Sequence, residues 1–258
     1  MNGFRAALLW MMVAAGCSSG PSDEQLTLDL FNRIALLFVR YNSALDNQDP
    51  RGLEGWTTEI RRLVAAQHPR IVAGLASSDS VVRADAAFAL GFSKERAAIS
   101  PLVTAASDPA VEVRSNAIAS LGMLAVEGVP TEPFEKALVD PEWRVRVAAL
   151  FGLRPLVDEK NDRGLLGRIH EKVADPDVNV RNEATILLAK LRRPQSVEVL
   201  TGKAVRDVDP RVRGNAAVTL GVIGAPAMAA NPFLVEMLRD EDSKVVDLAR
   251  DALNRINE

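Results

Sequence analysis

Hydrophobic and polar positions follow one pattern in six stretches of the chain, each fifteen residues long. Apolar residues four positions apart, as at Val113, Ala117 and Leu121, place one apolar face along a helix. Most stretches open with Asp, often followed by Pro, and we expect that Asp to be the helix N-cap and Pro the first helical residue. The six stretches are 77–91, 108–122, 140–154, 175–189, 207–221 and 240–254.

The spacing of these stretches predicts a solenoid. Numbered from its first residue as position 0, each stretch has Arg at position +6 except the last, which has Val246. The five Arg residues and Val246 are separated by 31 to 35 residues. A second helical segment precedes each stretch, so each unit is a helix pair that must stack on its neighbours to bury its apolar face.

The stretches resemble the short HEAT-like repeat of the phycobilisome-lyase type, with the consensus D-P-x-x-x-V-R-x-x-A-x-x-A-L-G. The resemblance implies an all-α, right-handed superhelical solenoid of about six HEAT-like helix pairs, with the second helices on the concave face. It also implies that Asp at position 0 and Arg at +6 form a structural ladder between adjacent units. The ladder residues are Arg83, Asp108, Arg114, Asp140, Arg146, Asp175, Arg181, Asp207 and Arg213.

The sequence before the solenoid predicts a helix that caps its N-terminal end. Ser22 to Gln25 match a capping box ahead of a helix, and residues 26–56 are interpreted as an N-terminal capping helix followed by a loop over 47–55. The repeat solenoid then spans residues 57–258, with its first helix broken near His68-Pro69.

The extreme N-terminus predicts export. Residues 1–16 contain Arg5 and then ten apolar residues, a helix of ~15 Å that is too short for a ~30 Å hydrocarbon core. Ala14 to Cys17 resemble a bacterial lipobox, which implies acylation of Cys17 and a tether over residues 17–25. The alternative is a signal cleaved elsewhere, with Cys17 left as a thiol. The resemblance implies a lipid-anchored protein facing the periplasm or cell exterior, and Ser18 favours the outer membrane.

The composition excludes several kinds of binding and metal site. The 258 residues carry 31 Lys+Arg against 34 Asp+Glu, which gives no electrostatic reason to bind nucleic acid. A single Cys excludes a disulfide framework and a thiolate-built metal site. His170-Glu171 is similar to one His-Glu pair of the HEAT-like di-iron hydroxylases acting on deoxyhypusine, but such a centre needs several His ligands. We interpret His170 as an exposed helix residue and expect no cofactor, no metal and no catalysis.

A stripe on the second helices predicts a binding site. Large apolar residues at position +11, with a Trp-Arg pair in the third stretch, favour a track that anchors a protein or peptide. The residues are Phe88, Trp143, Arg144, Phe151, Ile186 and Val218. The alternative is that these side chains only pack between helices. The hypothesis is a membrane-tethered, non-catalytic scaffold; the rivals are an enzyme or lyase-type subunit with a cofactor in the groove, and a structural envelope spacer.

Overall fold

A computed structural model describes residues 23–258, so the signal segment and Cys17 lie outside the described residues. Within this range the chain forms helices and no strand. The α-helices are α1 (Asp23–Asp46), α2 (Pro50–Gly74), α3 (Ser80–Leu90), α4 (Ile99–Ala105), α5 (Val111–Leu124), α6 (Glu132–Ala137), α7 (Trp143–Leu153), α8 (Leu166–Lys172), α9 (Val178–Leu191), α10 (Ser196–Gly202), α11 (Pro210–Ile223), α12 (Asn231–Met237) and α13 (Ser243–Asn257). Short 3₁₀ helices lie at Arg96–Ala98, Ala204–Arg206 and Ala225–Ala230.

These helices form six stacked pairs, from α2 with α3 to α12 with α13, which confirms the all-α solenoid. The second helices contact one another directly in the series α3, α5, α7, α9, α11 and α13, and the first helices, all of them except α2 shorter than their partners, contact the second helices. The more closely packed layer of second helices is called the inner side of the stack from here on. None of the helices in residues 23–258 combines the length and apolar character needed to cross a bilayer.

Small residues let the second helices approach closely. A Cβ on Gly122 of α5 would overlap the backbone of Gly152 in α7, and one on Gly221 of α11 would lie 2.8 Å from Cα of Ala252 in α13. Only Gly fits where two helix backbones meet at this distance. The Gly at the end of the repeated stretch is thus explained by packing.

The Asp residues at position 0 are not N-caps, which corrects the sequence expectation. Asp108 Oδ1 accepts a hydrogen bond from the Ala110 backbone N–H at 2.8 Å, and α5 begins only at Val111. The Asp carboxylate reaches the amide two residues ahead, so it closes a turn that contains Pro109 before the helix starts. In the fifth unit the N-cap is Asp209, with Pro210 as the first helical residue.

The helix predicted from residue 57 begins earlier, at Pro50, so the expected loop over 47–55 shrinks to 47–49. Asp49 is the reason, because its carboxylate accepts the Gly52 N–H at 3.0 Å and caps the helix ahead of a proline. The break expected near Pro69 is a kink inside one helix, with Gln67 at φ −126° and ψ 17°.

Candidate binding face and inter-repeat ladder

The repeated Arg and Asp side chains bind across every junction between the six units. Arg146 shows the geometry: its Nε donates to Asp175 Oδ2 at 2.8 Å and its Nη2 to Oδ1 at 2.7 Å. Its Nη1 donates to the carbonyl oxygens of Asp140 and Pro141, both at 2.9 Å. One guanidinium therefore fixes the turn of its own unit and the turn of the next.

The same arrangement recurs at five junctions. The pairs are Arg83–Asp108, Arg114–Asp140, Arg146–Asp175, Arg181–Asp207 and Arg213–Asp240. Asp240 was missed in the sequence, although its position at the start of the sixth stretch was the signal. The two departures from the consensus, Ser77 and Val246, fall at the two ends of this ladder.

Hydrogen bonds from Arg lower the pKa of two carboxylates of the ladder. The hydrogen bond from Arg83 holds the pKa of Asp108 below its ordinary value, against a smaller opposing effect of burial. Arg213 lowers the pKa of Asp240 in the same way. Since each carboxylate is bound by a guanidinium and by a backbone amide, the ladder holds units together and offers no reactive group.

The predicted track divides into buried and exposed members. Phe88 is only 6% exposed, which corrects its assignment to a binding surface. Its ring lies 4.3 Å from that of Phe38 in α1 and 5.1 Å from that of Phe92, measured between centroids. The capping helix α1 covers this end of the inner layer, so Phe88 belongs to the core.

The other members lie on α7, α9 and α11. Phe151 is 40% exposed, Arg144 is exposed, and Trp143, Ile186 and Val218 are half-buried. The guanidinium carbon of Arg144 lies 5.3 Å from the centroid of the Trp143 ring. The inner surface of α7, α9, α11 and α13 is called the inner face from here on.

An ion pair between α7 and α9 was missed by sequence reasoning. Arg154 binds the carboxylate of Glu183, and its guanidinium carbon lies 5.5 Å from the Phe151 ring centroid. Burial raises the pKa of Glu183, against the opposing charge of Arg154. Position +14 is Gly in three of the six units but Arg154 in the third. That substitution was the available signal, because a long cation replaces the residue that lets helices touch.

The inner face continues into a cavity of about 350 Å³ between α9, α11 and α13. Asn215 Nδ2 donates to Asn182 Oδ1 at 2.8 Å on one wall. Arg211, Asp242, Lys244 and Leu248 are among the other residues that line it. Arg211 is itself bound to Asp209, with Nη2 at 2.9 Å from Oδ2.

Among residues 23–258 no group of three or more His, Cys, Asp and Glu could hold a metal ion. His170, expected to be exposed, is half-buried, and its Nε2 is hydrogen-bonded to Ser196 Oγ at 2.9 Å. Burial lowers its pKa, which favours the neutral imidazole.

A comparison with known protein families agrees with the solenoid fold. The family model of HEAT repeats matches residues 69–154 and 168–254. Serine/threonine-protein kinase 36 from Pongo abelii is 34% identical over 114 residues, covering 37% of this chain and 9% of that protein. The chain thus spans less than a tenth of that relative.

Solved structures show the same fold. One engineered protein aligns with a TM-score of 0.56 at 22% identity, covering 73% of this chain and 95% of the other. A second engineered protein aligns with a TM-score of 0.53 at 19% identity, covering 87% of this chain and 68% of the other. Human deoxyhypusine hydroxylase aligns with a TM-score of only 0.42 at 20% identity, covering 92% of this chain and 99% of the other.

Proposed function

The chain belongs to the HEAT-repeat family, and from this premise we propose that it is a membrane-tethered, non-catalytic scaffold on the exported side of a bacterial envelope. The inner face binds a protein or peptide segment. A rigid solenoid supports this role, since a preformed surface binds without a large ordering cost. In this proposal the inner face is the binding surface, and the acylated Cys17 is the membrane anchor.

The observation that carries the proposal is the exposure of Phe151 on the inner face. A large aromatic side chain beside the guanidinium of Arg154, and on the same helix as Trp143 and Arg144, is the composition typical of binding anchors. The half-buried Ile186 and Val218 extend an apolar strip along the neighbouring helices. An apolar segment of the partner would lie along this strip.

The charged side chains of the inner face favour one kind of partner segment. Position +4 carries Arg144, Arg211 and Lys244 in the third, fifth and sixth units, and all three are exposed. Cations beside an apolar strip favour a partner segment that carries acidic side chains next to its apolar anchor. Asp209 partly neutralises Arg211, so Arg144 and Lys244 supply most of this preference.

The tether is the acylated Cys17. Two or three acyl chains anchor a protein stably, because each buried CH₂ contributes ~0.8 kcal/mol. The test is the intact mass of protein extracted from membranes of the native host, with Cys17→Ser as control. Acyl chains on the wild type support the tether, and an unmodified thiol contradicts it. Separation of the two membranes tests the outer-membrane assignment.

Binding is tested by crosslinking intact cells and identifying co-purified proteins by mass spectrometry. We expect one dominant envelope partner that is lost when Trp143→Ala and Phe151→Ala are combined. Val208→Ala is the matched control, since Val208 is 87% exposed and lies in a turn outside the inner face. Unchanged capture by the double variant contradicts the inner-face proposal, and capture of nothing favours the structural spacer.

The cofactor-bearing rival makes a different prediction. A lyase-type or metal-dependent subunit would carry a chromophore or metal when purified from its host. Absorbance spectra and elemental analysis of the native protein decide between this rival and the non-catalytic scaffold. We expect neither signal, and a stoichiometric cofactor would contradict the non-catalytic role.

A further inference from the structure

Helix α1 carries apolar side chains on two opposite faces. One face is buried in the core through Phe31, Ile34 and Leu37. The other faces outward with Leu28 at 53%, Leu36 at 49% and Val39 at 64% exposure. Successive helical residues turn by about 100°, which places these three side chains within about 80° of one another. They form one stripe, called the outer stripe of α1 from here on.

The outer stripe is uncharged along its length. Between Leu28 and Val39 its positions are filled by Asn32 and Ala35. The charged side chains of this segment, Asp29, Arg33 and Arg40, lie to one side of the stripe by the same helical geometry. Contact with a partner or a bilayer would remove this uncharged apolar stripe from water.

A second copy of the chain is a poor occupant. Three half-exposed aliphatic side chains offer roughly 200–300 Å² of apolar surface, whereas a stable protein interface buries about 800 Å² per partner. A bilayer sets no such minimum when another anchor already holds the protein at its surface, because the helix then adds only its own apolar burial.

The position of α1 in the chain brings it to the bilayer. Its first residue, Asp23, follows Cys17 by six residues, which span at most about 22 Å when extended. Resting on the proposed acylation of Cys17, we infer that α1 lies along the membrane interface with Leu28, Leu36 and Val39 inserted among the lipids. The capping helix α1 is then held at the bilayer by two attachments, the acyl chains and the outer stripe.

The experiment uses the full-length acylated protein in vesicles of phosphatidylethanolamine and phosphatidylglycerol. Acylation occupies the sulfur of Cys17, so Val39→Cys adds a single reactive thiol for an environment-sensitive fluorophore. Glu241→Cys is the control, since Glu241 is highly exposed in the last unit. We expect the Val39 label to shift to the blue and to lose emission when nitroxide lipids are included, with no change for the Glu241 label. Adding Leu36→Asp to Val39→Cys should abolish both effects.

Each other outcome overturns the inference. Vesicle-bound, acylated protein whose Val39 label behaves like the Glu241 label contradicts the docking of α1 alone. Disulfide-linked dimers of Val39→Cys on vesicles assign the outer stripe to a second copy. An unmodified Cys17 thiol, detected by intact mass, contradicts the tether and with it the docking that depends on it.

Discussion

Arg146 and Asp175 form the most deeply buried pair of the ladder, with side chains only 10% and 3% exposed. Two hydrogen bonds of 2.8 and 2.7 Å join the third unit to the fourth. This junction is also where Arg154 instead of Gly follows the last residue of α7. Two ion pairs, Arg146–Asp175 and Arg154–Glu183, therefore join the third unit to the fourth.

Replacing Arg146 by Ala should strongly destabilise the fold. The buried Asp175 carboxylate would lose its counter-ion, and breaking a buried pair in this way costs about 3–5 kcal/mol. Arg211→Ala is the matched control because its partner Asp209 is in an exposed pair, and such pairs contribute about 0–1 kcal/mol. Urea unfolding followed by circular dichroism measures both. Equal losses in the two variants would show that the ladder does not hold the units together.

Acid should weaken the ladder. The pKa of Asp108 is lowered in the folded chain from 3.8, chiefly by the hydrogen bond from Arg83. Its contribution to stability is therefore complete above the unfolded-state pKa and is lost as the pH falls through the folded-state pKa. The difference in unfolding free energy between wild type and Asp108→Asn should be largest above about pH 5 and shrink below about pH 4. A difference independent of pH between 2 and 7 would contradict this role.

The contribution of Glu183 to stability should depend on pH in the opposite direction to that of Asp108. Burial raises its pKa in the folded chain, so folding takes up a proton and the wild type loses stability as the pH rises through the unfolded-state and then the folded-state pKa. Gln cannot ionise, so the stability of Glu183→Gln relative to wild type should increase from pH 4 to pH 7. Denaturant unfolding at both pH values measures this change. A relative stability that falls over that range would mean that the attraction of Arg154 outweighs burial.

Gly122→Ala should disrupt the stacking of α5 on α7. The new Cβ would overlap the backbone of Gly152, which cannot move without shifting a helix. Gly55→Ala and Gly167→Ala are the controls, since a Cβ there meets nothing within 4 Å and both lie inside helices. The controls should gain up to about 1 kcal/mol from helix propensity, whereas Gly122→Ala should lose stability. Thermal unfolding distinguishes the two, and a stabilised Gly122→Ala would contradict the close approach.

The repeated parts of the fold could be predicted from the sequence because the repetition itself carries the information. The 31-to-35-residue spacing of Arg83 to Val246 located all six second helices. Their predicted starts came two residues too early, since an Asp that closes a turn and an Asp that caps a helix look alike without coordinates. Asp108 and Asp209 show the two cases.

The non-repeated contacts could not be predicted in this way. Phe88 matched the pattern of an exposed position, but α1 packs over it, and α1 is not part of any repeat. The ion pair of Arg154 with Glu183 joins positions +14 and +8 of different units, a combination that occurs in one junction. Periodicity averages over the units, so it hides the features by which one unit differs from the next.

The measurement that tests the central claim most directly is photo-crosslinking in the native host from position 151. A photoreactive residue at Phe151 should capture a defined envelope protein, and the same residue at Val208, which is exposed but in a turn outside the inner face, should not. Capture from position 151 that disappears with Trp143→Ala would establish the inner face as the binding site. Equal capture at both positions, or none at 151 from folded and acylated protein, would contradict the account.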